Sequence, residues 1–153
     1  KCHRIWYVTA MELPVSLLIA LTVQVLAQIV KVILRSIRDR RFAFEQFTQS
    51  GGMPSAHTAF VVSLAISVGL RAGFASEAFS VALVLAAVVI HDAIRVRGTL
   101  QELVGIIKAS DASPRAGALP ETIGHSTAEV VAGFIFALLC GLPLALWWPW
   151  GVF

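Results

Sequence analysis

Charged residues are scarce in this sequence, 14% of 153, where a water-soluble domain carries roughly 25%. With 58% hydrophobic residues gathered into long runs, that deficit excludes an ordinary soluble domain, a disordered chain and a coiled coil. Eleven glycines without a three-residue period exclude collagen. Two cysteines, Cys2 and Cys140, are too few for a disulfide framework or a zinc ribbon, and they leave the redox compartment open. What remains is an integral, multi-pass membrane protein. The chain opens on Lys1 and no signal-peptide pattern precedes its first apolar run, so any targeting segment is expected outside these residues.

Four runs are apolar and long enough to cross a bilayer: about 13–34, 54–70, 78–96 and 127–147. Each must be helical, because an isolated strand leaves its backbone polar groups unsatisfied in lipid. The expected fold is therefore all-α, a single transmembrane domain built as a four-helix bundle. Pro54 suits the first turn of a helix. Gly69 and Gly73, with the alanines of the third run, predict close helix approach. The link from Arg71 to Glu77 makes the second and third spans antiparallel neighbours. Beyond the third span Leu100, Leu103, Val104 and Ile107 recur at helical spacing, which predicts a short amphipathic helix over about 99–108 on the membrane surface. Residues 110–120 read as a loop.

Four spans return the C-terminus to the side of the N-terminus, side A. The opposite side B then receives nine of the twelve cations: Lys31, Arg35, Arg38, Arg40, Arg41, Arg95, Arg97, Lys108 and Arg115. The positive-inside rule accounts for them. It does not account for His57, His91 and His125, which fall on the same side. Trp6, Tyr7, Trp147, Trp148 and Trp150 collect at side A, as an interfacial aromatic belt does.

Four segments on side B could do chemistry. Residues 50–58, Ser-Gly-Gly-Met-Pro-Ser-Ala-His-Thr, run a glycine-rich approach into a helix N-terminus, where free N–H groups and the helix dipole favour an anion; a simple turn and cap is the plainer reading. In residues 124–129, Gly-His-Ser-Thr-Ala-Glu, the carboxylate of Glu129 stands four residues after His125, at the spacing that orients an imidazole. His91 and Asp92 with Arg95 and Arg97 end the third span, where an acid near lipid depth pairs with an arginine and arginines also snorkel to head groups. Lys31 stands seven residues before Arg38 and nine before Arg40. Together these supply cations and N–H groups for a phosphate, with histidines to attack and to protonate. A zinc site is the chemical rival, but no His-Glu-x-x-His pair supports it, so neither a metal nor a cofactor is expected.

Residues 50–57, the segment 92–97 and residues 124–130 resemble the divergent branch of the type 2 phosphatidic acid phosphatase superfamily, proteins described as related to acid phosphatases and vanadium-dependent haloperoxidases. The resemblance runs from about Gln28 to Gly133. It implies that Lys31 and Arg38 or Arg40 bind phosphate, that Ser55 and the Ala56 N–H cradle it, and that His57 is the general acid. It further implies Arg97 as a third cation, His125 as the nucleophile that forms a phosphohistidine, and Glu129 as its orienting carboxylate. Asp92 and Arg95 would support them. Ala56 replaces the superfamily's glycine, Glu129 replaces its aspartate, and residues 92–98 read Asp-Ala-Ile-Arg-Val-Arg-Gly where the branch has D-x-x-G-V-R-R.

The leading expectation is a metal-independent hydrolase of a membrane lipid or polyprenyl phosphate or pyrophosphate. The second is a noncatalytic membrane subunit or lipid-binding scaffold of a larger complex, for example photosynthetic or respiratory; a vanadate-using oxidase is a distant third. No nucleic-acid partner is expected. A homo-oligomer and a larger assembly both remain open, as do a bacterial plasma membrane and an organelle membrane such as that of a plastid.

Overall fold

The computed structural model describes residues 14–40, 42, 51–109 and 126–148, and the regular structure among them is helical throughout. Helix α1 is Val15–Asp39, α2 Ala56–Ala72, α3 Glu77–Ile94, α4 Val96–Ala109 and α5 Thr127–Phe136; a π-helical turn, Ala137–Gly141, leads into α6, Leu142–Trp147. The last three run on as one stretch, Thr127–Trp147, and among the described residues it is one of three long and apolar enough to cross a membrane, with Val15–Asp39 and Glu77–Ala109. The protein is thus a multi-pass helical membrane bundle.

At 17 residues, α2 rises only about 25 Å, less than the ~30 Å hydrocarbon core. Its place explains the shortness. Helices α1, α3, α5 and α6 and the π-helical turn all pack against it, so it is sheathed by protein. Two glycines set the approach of the last stretch, one on α5 and one on the π-helical turn. A Cβ on Gly133 would stand 2.5 Å from the Ser55 carbonyl oxygen, and one on Gly141 would stand 2.7 Å from Ser63 Cβ. In lipid, helices associate through such small-residue contacts and through polar bonds rather than through apolar burial. The Ser67 hydroxyl accordingly donates to Ser16 Oγ at 3.1 Å, tying the end of α2 to the start of α1. Helix α3 turns Ala82, Ala86 and Ala93 inward and leaves Val81, Val84 and Val88 exposed, small residues to protein and large ones to hydrocarbon.

Several boundaries differ from the hydropathy reading. Helix α1 continues to Asp39 because an Arg35 to Asp39 bond of 2.6 Å, one turn apart, carries it past the apolar run. Helix α2 starts at Ala56, with Ser55 as its N-cap, so Pro54 lies outside the first turn. Helix α4 starts at Val96, directly after α3, since the Thr99 N–H and hydroxyl both donate to the Arg95 carbonyl at 3.0 Å. Gly69 lets α2 and α3 come close, since a Cβ there would stand 2.5 Å from the Phe74 ring and 3.0 Å from the Phe79 ring of α3, while Gly73 has open space around it but φ +94, so it serves the turn into α3. Pro143, which lacks an N–H and crowds the turn before it, explains the π-helical widening just upstream.

Candidate functional site

The site is assembled from three helix ends. Ser55 is fully buried and caps α2, its Oγ accepting from the Thr58 N–H at 3.4 Å and from the Thr58 hydroxyl at 3.0 Å. Its own N–H donates to the Glu129 carbonyl oxygen at 3.0 Å. That bond joins the N-terminus of α2 to the N-terminus of α5 across most of the sequence. Glu129 also closes a capping box at the head of α5: its carboxylate accepts from the Ser126 N–H and its N–H donates to Ser126 Oγ, both at 3.3 Å.

Lys31 enters from α1. It is 5% exposed, and its ammonium lies within electrostatic reach of the Glu129 carboxylate. Two helix N-termini and one buried cation thus share one end of the bundle, an arrangement whose field favours a bound anion. The Ala56 N–H lies in the first turn of α2, where a helix offers it no internal acceptor.

The other expected residues take varied places. His57 stands exposed in the first turn of α2. Arg38 and Arg40 are exposed at the end of α1, Arg40 with φ 48 at its C-cap. Asp92 is half-buried, and His91 and Arg95 are exposed, at the end of α3. Arg97 belongs to α4, which continues directly from α3, but its side chain lies outside the described residues. So does His125, together with Arg41, Arg115, Trp6, Tyr7, Trp150 and the loop 110–120. Trp147 and Trp148 close the last helix at the far end from the site. Among the described residues no group of three His, Cys, Asp or Glu could hold a metal.

The expected pairing of His125 with Glu129 lies outside the described residues. Glu129 stands in the first turn of α5, behind the N-cap Ser126, and its carboxylate holds the Ser126 N–H, which belongs to the peptide bond between residues 125 and 126.

Gln28 escaped the sequence reading. Its Oε1 is buried with no hydrogen-bond partner among the described residues, one turn from Lys31. The signal was present: Gln24, Gln28, Lys31 and Arg35 recur at four- and three-residue steps, a polar stripe along an otherwise apolar helix.

The family described as the Divergent PAP2 family matches residues 14–140. The chain is also similar to an uncharacterized membrane protein, YuiD, of Bacillus subtilis (strain 168), with 32% identity over 147 aligned residues, covering 84% of this chain and 92% of the relative. No solved structure matches.

Proposed function

The chain belongs to the Divergent PAP2 family, and from that premise we propose that it is a membrane-embedded phosphatase of a lipid-linked phosphate monoester or pyrophosphate. The observation that carries this reading is the Ser55 N–H to Glu129 carbonyl bond at 3.0 Å, which joins the head of α2 to the head of α5 at the end of the bundle where Lys31 lies. The phosphate sits against the α2 N-terminus and Lys31, with Arg38 or Arg40 and Arg97 as further cations. An imidazole nitrogen of His125 attacks phosphorus, the bond from phosphorus to the lipid oxygen breaks, and His57 gives that oxygen its proton. Water then cleaves the phosphohistidine and releases inorganic phosphate. Glu129 serves this step through the backbone, by fixing the peptide unit that follows His125.

A noncatalytic membrane subunit is the competing reading, favoured by the commitment of Ser55 and Glu129 to helix caps. Purified protein with polyprenyl and glycerolipid phosphates separates the two. The enzyme releases phosphate, and His125→Ala abolishes both turnover and an acid-labile phosphoenzyme. Equal activity of wild type and His125→Ala on every ester would leave the subunit reading.

A further inference from the structure

Helices α2 and α3 pack along each other, while α3 only grazes α5, and the gap between them is a groove of about 390 Å³ lined by apolar side chains alone. Small residues open it: Ala65 on α2 faces Ala86 and Ala87 on α3. At its lower end stand Phe74 and Phe79, whose rings meet edge to face with centroids 5.1 Å apart. Its upper end is at Val62, Ile90 and Phe134. Val62 is one turn beyond Thr58, Phe134 follows the Gly133 that abuts Ser55, and Ile90 precedes His91. The groove therefore starts one turn below the candidate phosphate site and runs away from it into the membrane.

Its dimensions decide the occupant. Phe79 and Ile90 are about 16 Å apart along α3 at 1.5 Å per residue, roughly half of a ~30 Å hydrocarbon core. A volume of about 390 Å³ over that length leaves a mean section of roughly 24 Å², too narrow for a helix some 10–12 Å across. One hydrocarbon chain fits. We propose that the groove holds a single alkyl or prenyl chain of the lipid whose phosphate occupies the site, and that the Phe74 and Phe79 pair limits how far the chain reaches; this rests on the phosphatase reading. A chain gains little apolar free energy by leaving bilayer for groove, because both are hydrocarbon. What the groove supplies is alignment: a chain seated in it fixes the phosphate against His57 and Lys31, where a displacement of about 1 Å costs on the order of a hundredfold in rate.

The test fills the groove at Ala87, which is exposed and so tolerates bulk. Ala87→Phe is compared with Val84→Phe on the outer face of α3, using butyl, decyl and hexadecyl phosphate. The expected result is a fall in kcat/KM of about tenfold or more for hexadecyl phosphate with Ala87→Phe only, and little change for butyl phosphate. Phe79→Ala should shift the optimum towards longer chains. Equal effects on short and long esters, or equal effects of the two phenylalanines, would overturn the proposal.

Should wild type hydrolyse none of these esters, the phosphatase reading fails by itself. The groove is then read with a hexadecyl phosphonate bearing a diazirine at its chain end. Crosslinks concentrated near Phe74 and Phe79 support a seated chain. Crosslinks spread equally over Val84 and Val88 mean ordinary boundary lipid, and crosslinks from a photoreactive residue at position 87 to another polypeptide mean a partner helix; either overturns it.

Discussion

Glu129 bonds to the head of α2, caps its own helix and lies within electrostatic reach of a cation on α1. Its carbonyl receives the Ser55 N–H, its carboxylate caps α5, and the charge of that carboxylate reaches the buried Lys31. These duties separate by substitution. Glu129→Gln keeps a side chain that suits the capping box but removes the charge opposite Lys31; Glu129→Ala removes both and should cost about 1 kcal/mol more, the usual worth of a cap. Lys31 is buried and Glu129 half-buried, so removing either charge leaves the other less compensated, whereas replacing both by neutral groups is often close to neutral. The double variant Lys31→Met with Glu129→Gln should therefore be more stable than the sum of its single losses predicts. Unfolding midpoints in detergent, read as a double-mutant cycle, check this, and strict additivity would place Lys31 and Glu129 in separate environments.

At the scale of elements, the contact that matters is α5 on α2 at Gly133. The Cβ of an alanine there would meet the Ser55 carbonyl oxygen at 2.5 Å, and a backbone atom at a helix cap cannot rotate aside. Gly133→Ala should cost about 1–3 kcal/mol, as overpacking does, and should reduce turnover further by straining the Ser55 to Glu129 bond. Gly105→Ala in α4 meets nothing within 4 Å, so there the helix-forming preference of alanine should leave stability unchanged or raised. Thermal unfolding and activity of the pair distinguish a packing glycine from an idle one. The apolar runs made the long helices legible in the sequence, since lipid demands both their length and their helicity. Their ends were less legible, because Ser55 and Arg95 set them by local hydrogen bonds that hydropathy does not register. Ser126 and Glu129 do carry a readable capping-box spacing, yet it competes with the His125 pairing in the same few residues. The meeting of Gly133 with Ser55 was not legible at all, since no local pattern states which helices touch.

For the whole molecule the decisive property is sidedness. Ser67 bonded to Ser16 ties the end of α2 to the start of α1, while Ser55 bonded to Glu129 ties the start of α2 to the start of α5. These two bonds orient α1 and α2 oppositely and put the end of α1 and the starts of α2 and α5 at one end of the bundle. The short turn Gly73–Ser76, closed by the Ser76 hydroxyl donating to the Gly73 carbonyl at 2.7 Å, brings the end of α3 to that same end. Lys31, His57, Asp92 and Arg95 consequently share it, and Trp147 and Trp148 close the other. If all four helices cross, the segments flanking α2 and α5 face one aqueous side although α2 itself is short for a bilayer. Single cysteines at positions 49 and 118, in a chain whose Cys2 and Cys140 are replaced by Ser, should both react with an impermeant maleimide applied to one face of oriented vesicles. A cysteine at Trp148 should react from the other face. The excess of Lys and Arg at the site end predicts that the shared face is the cytoplasmic one or its equivalent. Labelling of 49 and 118 from opposite faces would mean that α2 does not cross, and the motifs it joins could not then serve one substrate.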